Sequence, residues 1–372
     1  MLKSSSKIHA PDYHLIIGFI ILLTIGLLML TSASYFIGCQ KLNNCYFFLK
    51  HQLLYGLLPG LIILFLLSHI DYRKLKKAAV PSLVGVILLL ILIFLPEFGV
   101  TRGGSQRWLK IGNIIFQPSG AIKLAFLLFL SAWLSKDQTN IKNFYRVFVP
   151  FVFLMGIISA LIIPQKDLST LIVIIFSAMI VYFIAGAPIL YFGYLFIGLI
   201  LAVAIAIKYE LYRLQRFQVF FYSPRIDTEG IGYHVNQALL AISSGGVFGK
   251  GLGRSFQKIY RLPEVVGDSI FAVTAEELGF IVTSFLVIVY FFVAYRIFKI
   301  AFLAKDKFGQ LLAGGIGFWF ILQASINICG MLGILPMTGI PLPFMSYGSS
   351  DLIIFLAAFG ILISISKQTK IC

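Results

Sequence analysis

Charge is what this chain has least of. Of its 372 residues only 12% are Asp, Glu, Lys or Arg, against about a quarter in an ordinary soluble domain. Acid is scarcer than base, 14 residues against 30. So little charge excludes a water-soluble globular domain. Cysteine is scarce too, four in all, and the spacing of Cys39, Cys45, Cys329 and Cys372 offers no metal site. Cys39 and Cys45, in CQKLNNC, are either a disulfide in an oxidising compartment or two small hydrophobes. Ten-residue stretches of alternating polarity are missing, which excludes a transmembrane β-barrel.

What fills the chain is apolar: 59% of residues are hydrophobic and the mean hydropathy is +0.97. A hydrocarbon core about 30 Å thick takes roughly 20 apolar residues per helix. Runs of that kind cover 14–36, 52–70, 78–96, 119–135, 147–164, 167–186, 188–207, 269–297, 309–331 and 350–367. In lipid only helices and closed barrels satisfy the backbone, so the sequence reads as an all-α, polytopic membrane protein. It forms a single domain, 1–372, of about ten transmembrane helices, with a large extracytoplasmic loop at about 208–268 between the seventh and eighth. The first run is longer than the 7–15 apolar residues of a signal peptide and counts as a span.

The distribution of base orients the helices. Short segments at Lys3 and Lys7, Arg73–Lys77, Lys136–Arg146, Arg296–Lys307, and Lys367 and Lys370 hold fifteen of the thirty Lys and Arg residues. The positive-inside rule assigns them, and with them both termini, to the cytoplasm. Since topology accounts for half of the base, a pI near 9.7 does not argue for a nucleic-acid partner.

Ionisable groups inside spans are costly and usually functional. The six at or within span ends are Lys123, Asp167, Asp268, Glu276, Glu277 and Asp351, all in the outer third of their helices. They imply a cavity open to the outer face. The 208–268 loop interleaves glycine with Lys250, Arg254, Lys258 and Arg261, which suits an anionic head group, because cations and glycine-freed amides match phosphate oxygens. Arg102, Arg107 and Lys110 surround Trp108 in TRGGSQRWLKIGNIIFQPS, expected as an interfacial segment. Asp167 reads as a helix N-cap. Pro336, Pro341 and Pro343 forbid a regular helix over 332–351, so a re-entrant or extended segment is expected, with Ser346 and Tyr347 packing it.

Taken together, RWLKIGNIIFQPS, PQKDLST, GYHVNQALLAISSGGVFGKGLGRSFQK, LPEVVGDSIFAVTAEELG and GILPMTGIPLPFMSYGSS resemble, in order, the signature motifs of the FtsW/RodA/SpoVE family of cell-wall proteins. GLGRSFQK is closer to the division-type members. The resemblance covers about residues 100–366 and implies a ten-helix bacterial inner-membrane glycosyltransferase. Such an enzyme polymerises lipid II into glycan strands and works with a class B penicillin-binding protein and other divisome or elongasome membrane proteins. It puts the family's essential aspartate on Asp268. Departures are Val266-Gly267 for His-Thr, Gly120 for Glu beside Lys123, Ser349 for Gly, and Lys166 and Ser169 for Pro and Gly.

The chemistry needs a base for a sugar hydroxyl and positive charge for a departing lipid diphosphate. Asp268 is the expected base and Glu264 the alternative, while Asp268 before Ser269 also reads as a helix N-cap. Arg102, Arg107, Lys123, Lys250, Arg254, Lys258, Arg261 and Glu264 form the expected substrate-binding set, with a divalent cation (Mg or Mn) as the alternative source of charge. Glu276 and Glu277 are either polar contacts within the bundle or metal-facing groups. The competing functions are a flippase for the same lipid and a scaffold for division enzymes.

Overall fold

A computed structural model describes residues 9–102, 105–112, 114–136, 140–198 and 231–369. Eight helices are long and apolar enough to cross a membrane: α1 (Tyr13–Leu42), α2 (Phe47–His69), α3 (Tyr72–Leu92), α5 (Phe144–Gln165), α6 (Leu168–Ala185), α9 (Ile270–Leu303), α10 (Lys307–Met331) and α11 (Ser349–Ser366). Two shorter apolar helices, α4 (Pro118–Leu134) and α7 (Ile189–Gly198), occupy the remaining expected positions. The chain is a multi-pass, all-α membrane protein. The basic residues Lys208, Arg213, Arg216 and Arg225 of the long loop lie outside the described residues.

The core helices are α10 and α11, whose central windows are 72% buried, against 17% for α3. Lipid tails are as apolar as leucine, so helices associate here by close packing and polar contacts rather than by escape from water. Gly360 of α11 shows the first: a Cβ there would stand 2.7 Å from the Leu64 carbonyl oxygen of α2.

One end of the bundle gathers both described chain ends. The His9 amide donates to the Lys367 carbonyl at 2.7 Å. Asp12 caps α1 and holds Arg296 of α9 at 2.7 Å, both side chains being buried. The far end carries the turn between α1 and α2, where Cys39 and Cys45 form a disulfide.

Two features depart from the expectation. The stretch around Trp108, for which no regular structure was expected, is a three-stranded antiparallel sheet, β1 (Gly99–Arg102), β2 (Ser105–Ile111) and β3 (Ile114–Phe116). Its strands pair Gly99 with Leu109 and Ile111 with Ile114, leaving a two-residue connection that begins at Gly112, φ 59°. Part of the long loop is also built structure: α8 (Ile231–Ser244) lies against α9.

Helix α9 is broken at Gly279, where φ 76° and ψ −179° are open in practice only to glycine. A break strands backbone donors and acceptors that lipid cannot satisfy. The glycine-rich run supplies the partners. Lys250 and Gly251 amides donate to the Glu276 and Glu277 carbonyls at 3.0 and 2.9 Å, and the Phe280 amide donates to the Gly246 carbonyl at 2.9 Å. This docking requires Gly249, whose φ is 81° and whose Cβ would stand 2.3 Å from the Glu277 carbonyl oxygen. The run expected to cradle phosphates is instead a backbone patch on a broken helix.

Candidate active site

Asp268 lies near the end of the turn 261–269 that leads into α9, and it is half-buried. The turn closes on the Glu264 carbonyl, which accepts from the Gly267 and Ser269 amides at 3.0 and 3.2 Å. Glu264 takes φ 46° to do so, an uncommon backbone state for a side chain of its size. Its side chain is exposed, with Oε2 3.8 Å from where a Gly267 Cβ would sit.

Three neighbours fix the turn. From α10, Asn327 Nδ2 donates to the Asp268 carbonyl at 2.9 Å and to the Ile340 carbonyl at 2.7 Å. From α8, His234 Nε2 lies 2.6 Å from Ser269 Oγ. That hydroxyl gives its proton to the Pro263 carbonyl at 2.8 Å, so it accepts from the imidazole N–H. From the proline-rich segment, Ser346 Oγ donates to the Gly267 carbonyl at 2.7 Å and the Tyr347 amide to the Val266 carbonyl at 2.8 Å. The carboxylate itself lies against the same segment: a Cβ on Gly339 would stand 3.2 Å from Asp268 Oδ2.

The proline-rich segment is irregular up to the start of α11, as its prolines require, and Met337, Ile340 and residues 342–346 of it are buried. Its carbonyls are taken up by side chains of the surrounding helices. Ser169 Oγ donates to Thr338 O at 2.5 Å, Gln323 Nε2 to Pro341 O at 3.0 Å and the Tyr290 hydroxyl to Pro343 O at 2.6 Å. Asp167, the expected N-cap of α6, accepts from the Thr170 amide at 3.3 Å and from Ser119 Oγ at 3.2 Å. The wall beside Asp268 is therefore tied to α6, α9 and α10 at once.

The expected cations divide into two groups. Lys250 meets Glu276 at 2.7 Å. Lys258 is buried, meets Glu277 at 2.5 Å and donates to Ser32 Oγ of α1 at 2.9 Å. Lys123 is buried between Asp351 Oδ1 and Gln323 Oε1, each at 2.9 Å, with its ammonium 5.1 Å from the Trp319 ring. The charge of these three lysines neutralises carboxylates of the chain itself, where an unpaired ion is costly. Asp351 supplies the carboxylate that Gly120 lacks, its Oδ1 lying 3.5 Å from where a Gly120 Cβ would be. Glu276 and Glu277 are the polar contacts of the two readings given for them.

Arg254 and Arg261 are exposed, with no ion-pair partner among the described residues. Arg107 donates Nε to the Gln165 carbonyl at 3.0 Å and Nη2 to the Lys166 carbonyl, and its Nη1 lies 3.8 Å from Asp167. Of Arg102 only the backbone is described, at the end of β1 opposite Ser105. Asn327 and Gln323 were missed in the sequence. They are a polar pair four apart in the C-terminal half of α10, hence on one face of the helix, and that spacing was the available signal.

A broken multi-pass helical bundle with a loop-borne carboxylate pinned at one end against a proline-rich wall defines the class. The comparisons supply the family. The FTSW_RODA_SPOVE family model, described as cell cycle protein, matches residues 13–371, and the chain belongs to that family. Stage V sporulation protein E of Bacillus subtilis (strain 168) is 37% identical, over 98% of this chain and 100% of its own. A probable peptidoglycan glycosyltransferase FtsW of Geobacter sp. (strain M18) is 34% identical, over 98% and 99%. Among solved structures, Thermus thermophilus rod shape determining protein RodA superimposes with a TM-score of 0.71 at 26% identity, over 98% and 99% of the two chains. A chain of a peptidoglycan synthase complex, described as coordinating polymerization and crosslinking, shares the fold with a TM-score of 0.77 at 24% identity, over 96% and 98%.

Proposed function

We propose that this chain is a peptidoglycan glycosyltransferase that polymerises lipid II, with Asp268 as general base. The observation that carries the reading is Asp268 itself: a half-buried carboxylate on a turn held by three elements, with two exposed arginines in the stretch that leads to it. Asp268 takes the proton from a sugar hydroxyl of one lipid-linked disaccharide as that oxygen attacks the anomeric carbon of another. The bond from that carbon to the lipid diphosphate breaks. A positioned base contributes typically about 10²- to 10⁴-fold. Arg254 and Arg261 meet the charge that develops on the leaving diphosphate, and Arg107 edges the same wall.

A divalent cation, Mg or Mn, is the alternative charge donor. Among the described residues no three His, Cys, Asp or Glu side chains come together as a metal site. No step is routed through an ion.

The partners we assign are lipid II, a class B penicillin-binding protein and other divisome or elongasome membrane proteins. The compartment is the bacterial inner membrane, with both termini cytoplasmic and Asp268 extracytoplasmic. Two observations support that sidedness. The Cys39–Cys45 disulfide, a bond of oxidising compartments, closes the end of α1 whose Ser32 touches Lys258, near the Asp268 turn. Arg73, Lys76 and Lys367 lie at the other end. FtsW names among the relatives support a division role, which a tagged copy collecting at midcell would bear out and one along the sidewall would overturn.

The break in α9 favours a second reading, a flippase for the same lipid, because transporters use discontinuous helices. Here the broken ends and both carboxylates are filled by the chain's own groups, so polymerisation is preferred. The purified full-length protein, with its penicillin-binding partner and lipid II supplied on the accessible side, should make long glycan strands, and Asp268→Asn should make none. Normal polymerisation by Asp268→Asn overturns the base assignment. Absence of polymer from the unmodified pair, together with lipid II transfer between leaflets of a vesicle, turns the reading to the flippase.

A further inference from the structure

The Asp268 turn leans on Ser346 and Tyr347, and these two residues lean on a helix distant in sequence. His51, in the first turns of α2, has Nδ1 3.0 Å from the Tyr347 hydroxyl and 3.2 Å from Ser349 Oγ. Its ring lies between Phe47 and Tyr55, with centroids 6.0 and 4.8 Å away. Gln52 is 3% exposed, and its Oε1 accepts from the Gly348 amide at 3.2 Å and from Ser349 Oγ at 3.3 Å. The Gly348 amide lies at the start of α11, where backbone donors lack helical partners and a side-chain acceptor holds the chain in place.

We propose that His51 and Gln52 are positioning residues for Asp268. Neither touches the carboxylate. They fix Tyr347, Gly348 and Ser349, and from that anchor the Tyr347 amide and Ser346 Oγ grip the carbonyls of Val266 and Gly267, the two residues before Asp268. The path runs from α2 through residues 346–349 to 266–268 by hydrogen bonds and adjoining backbone alone. In the sequence these residues sit in an apolar span more than 200 positions from Asp268.

The inference rests on Asp268 being the base, and two measurements separate the two claims. In lipid II polymerisation by the full-length protein with its partner, His51→Ala and Gln52→Ala should each lower kcat by about 10- to 100-fold, the cost of misplacing a reacting group by about 1 Å. KM should stay within about twofold. His51→Asn, which keeps an acceptor near the Nδ1 position, should restore most of kcat. Tyr347→Phe, which deletes one hydroxyl and keeps the ring, carries the same expectation where His51→Ala fails to assemble. Separately, in a chain with Cys329 and Cys372 replaced by serine, the rate at which a maleimide labels Asp268→Cys should change several-fold on adding His51→Ala or Gln52→Ala. An unchanged labelling rate, a loss confined to KM, or no rescue by His51→Asn overturns the positioning role. A changed labelling rate in a protein whose polymerisation survives Asp268→Asn upholds the mechanical link and overturns only the base.

Discussion

At the residue scale, Lys258 and Arg254 separate charge that builds the fold from charge that serves a ligand. Lys258 and Glu277 are both buried and bonded to each other, and removing one partner of a buried pair typically costs about 3–5 kcal/mol because the other is left uncompensated. Lys258→Met should therefore lower the melting temperature of the detergent-solubilised protein sharply. Lys258→Met with Glu277→Gln, which removes both charges and keeps an acceptor for Ser32 and the Gly253 amide, should recover most of the loss. Arg254→Ala should leave melting unchanged and raise KM for lipid II roughly tenfold, the value of one charge-assisted hydrogen bond. A fall in melting temperature for Arg254→Ala matching that of Lys258→Met would erase the distinction. The residue types needed near the membrane edge were legible in the sequence. Their partners were not, because Lys258 reaches Glu277 across 19 positions at no helical spacing, and Lys123 reaches Asp351 across 228 positions.

At the scale of elements, the spans were legible because a 30 Å hydrocarbon layer leaves its length in the sequence. The pieces between them follow other rules. The sheet was hidden because the apolar run of Trp108, Leu109, Ile111, Ile114 and Ile115 marks a segment that stays near the interface without fixing its secondary structure, and only the Gly-Asn at 112–113 signals a hairpin. The glycine run was assigned to phosphate for its amides, and those amides are spent on α9. This makes the glycines a test. Gly253 has φ 82° and open space around it, so Gly253→Ala costs only the left-handed backbone, roughly 1–2 kcal/mol. Gly249→Ala adds a collision with the Glu277 carbonyl, a further ~1–3 kcal/mol of overpacking. Gly279→Ala meets both a Gly249 amide nitrogen at 2.2 Å and a combination of φ and ψ that alanine does not adopt. Melting temperatures should fall in that order, Gly279→Ala lowest. Equal values for Gly249→Ala and Gly253→Ala would mean that the run does not dock on α9.

At the scale of the whole molecule, two ends are built differently from one pool of polar residues. One end closes with capped helices and the Asp12–Arg296 pair, and brings His9 to Lys367. The other carries the disulfide, the sheet, the broken helix and the Asp268 turn. An enzyme acting on a lipid-linked sugar outside the cell needs the second end outside, and the cysteines report on this directly. In intact cells treated with a reductant, a membrane-impermeant maleimide should label Cys39 and Cys45. A single-cysteine chain retaining only Cys372, five residues beyond the Lys367 that meets His9, should be labelled only after the membrane is opened. Labelling without reductant at Cys39 would contradict the disulfide alone. Labelling of Cys372 in intact cells would invert the molecule and place Asp268 on the cytoplasmic side; the positive-inside assignment and the proposed reaction would then fall together, since both depend on the same orientation.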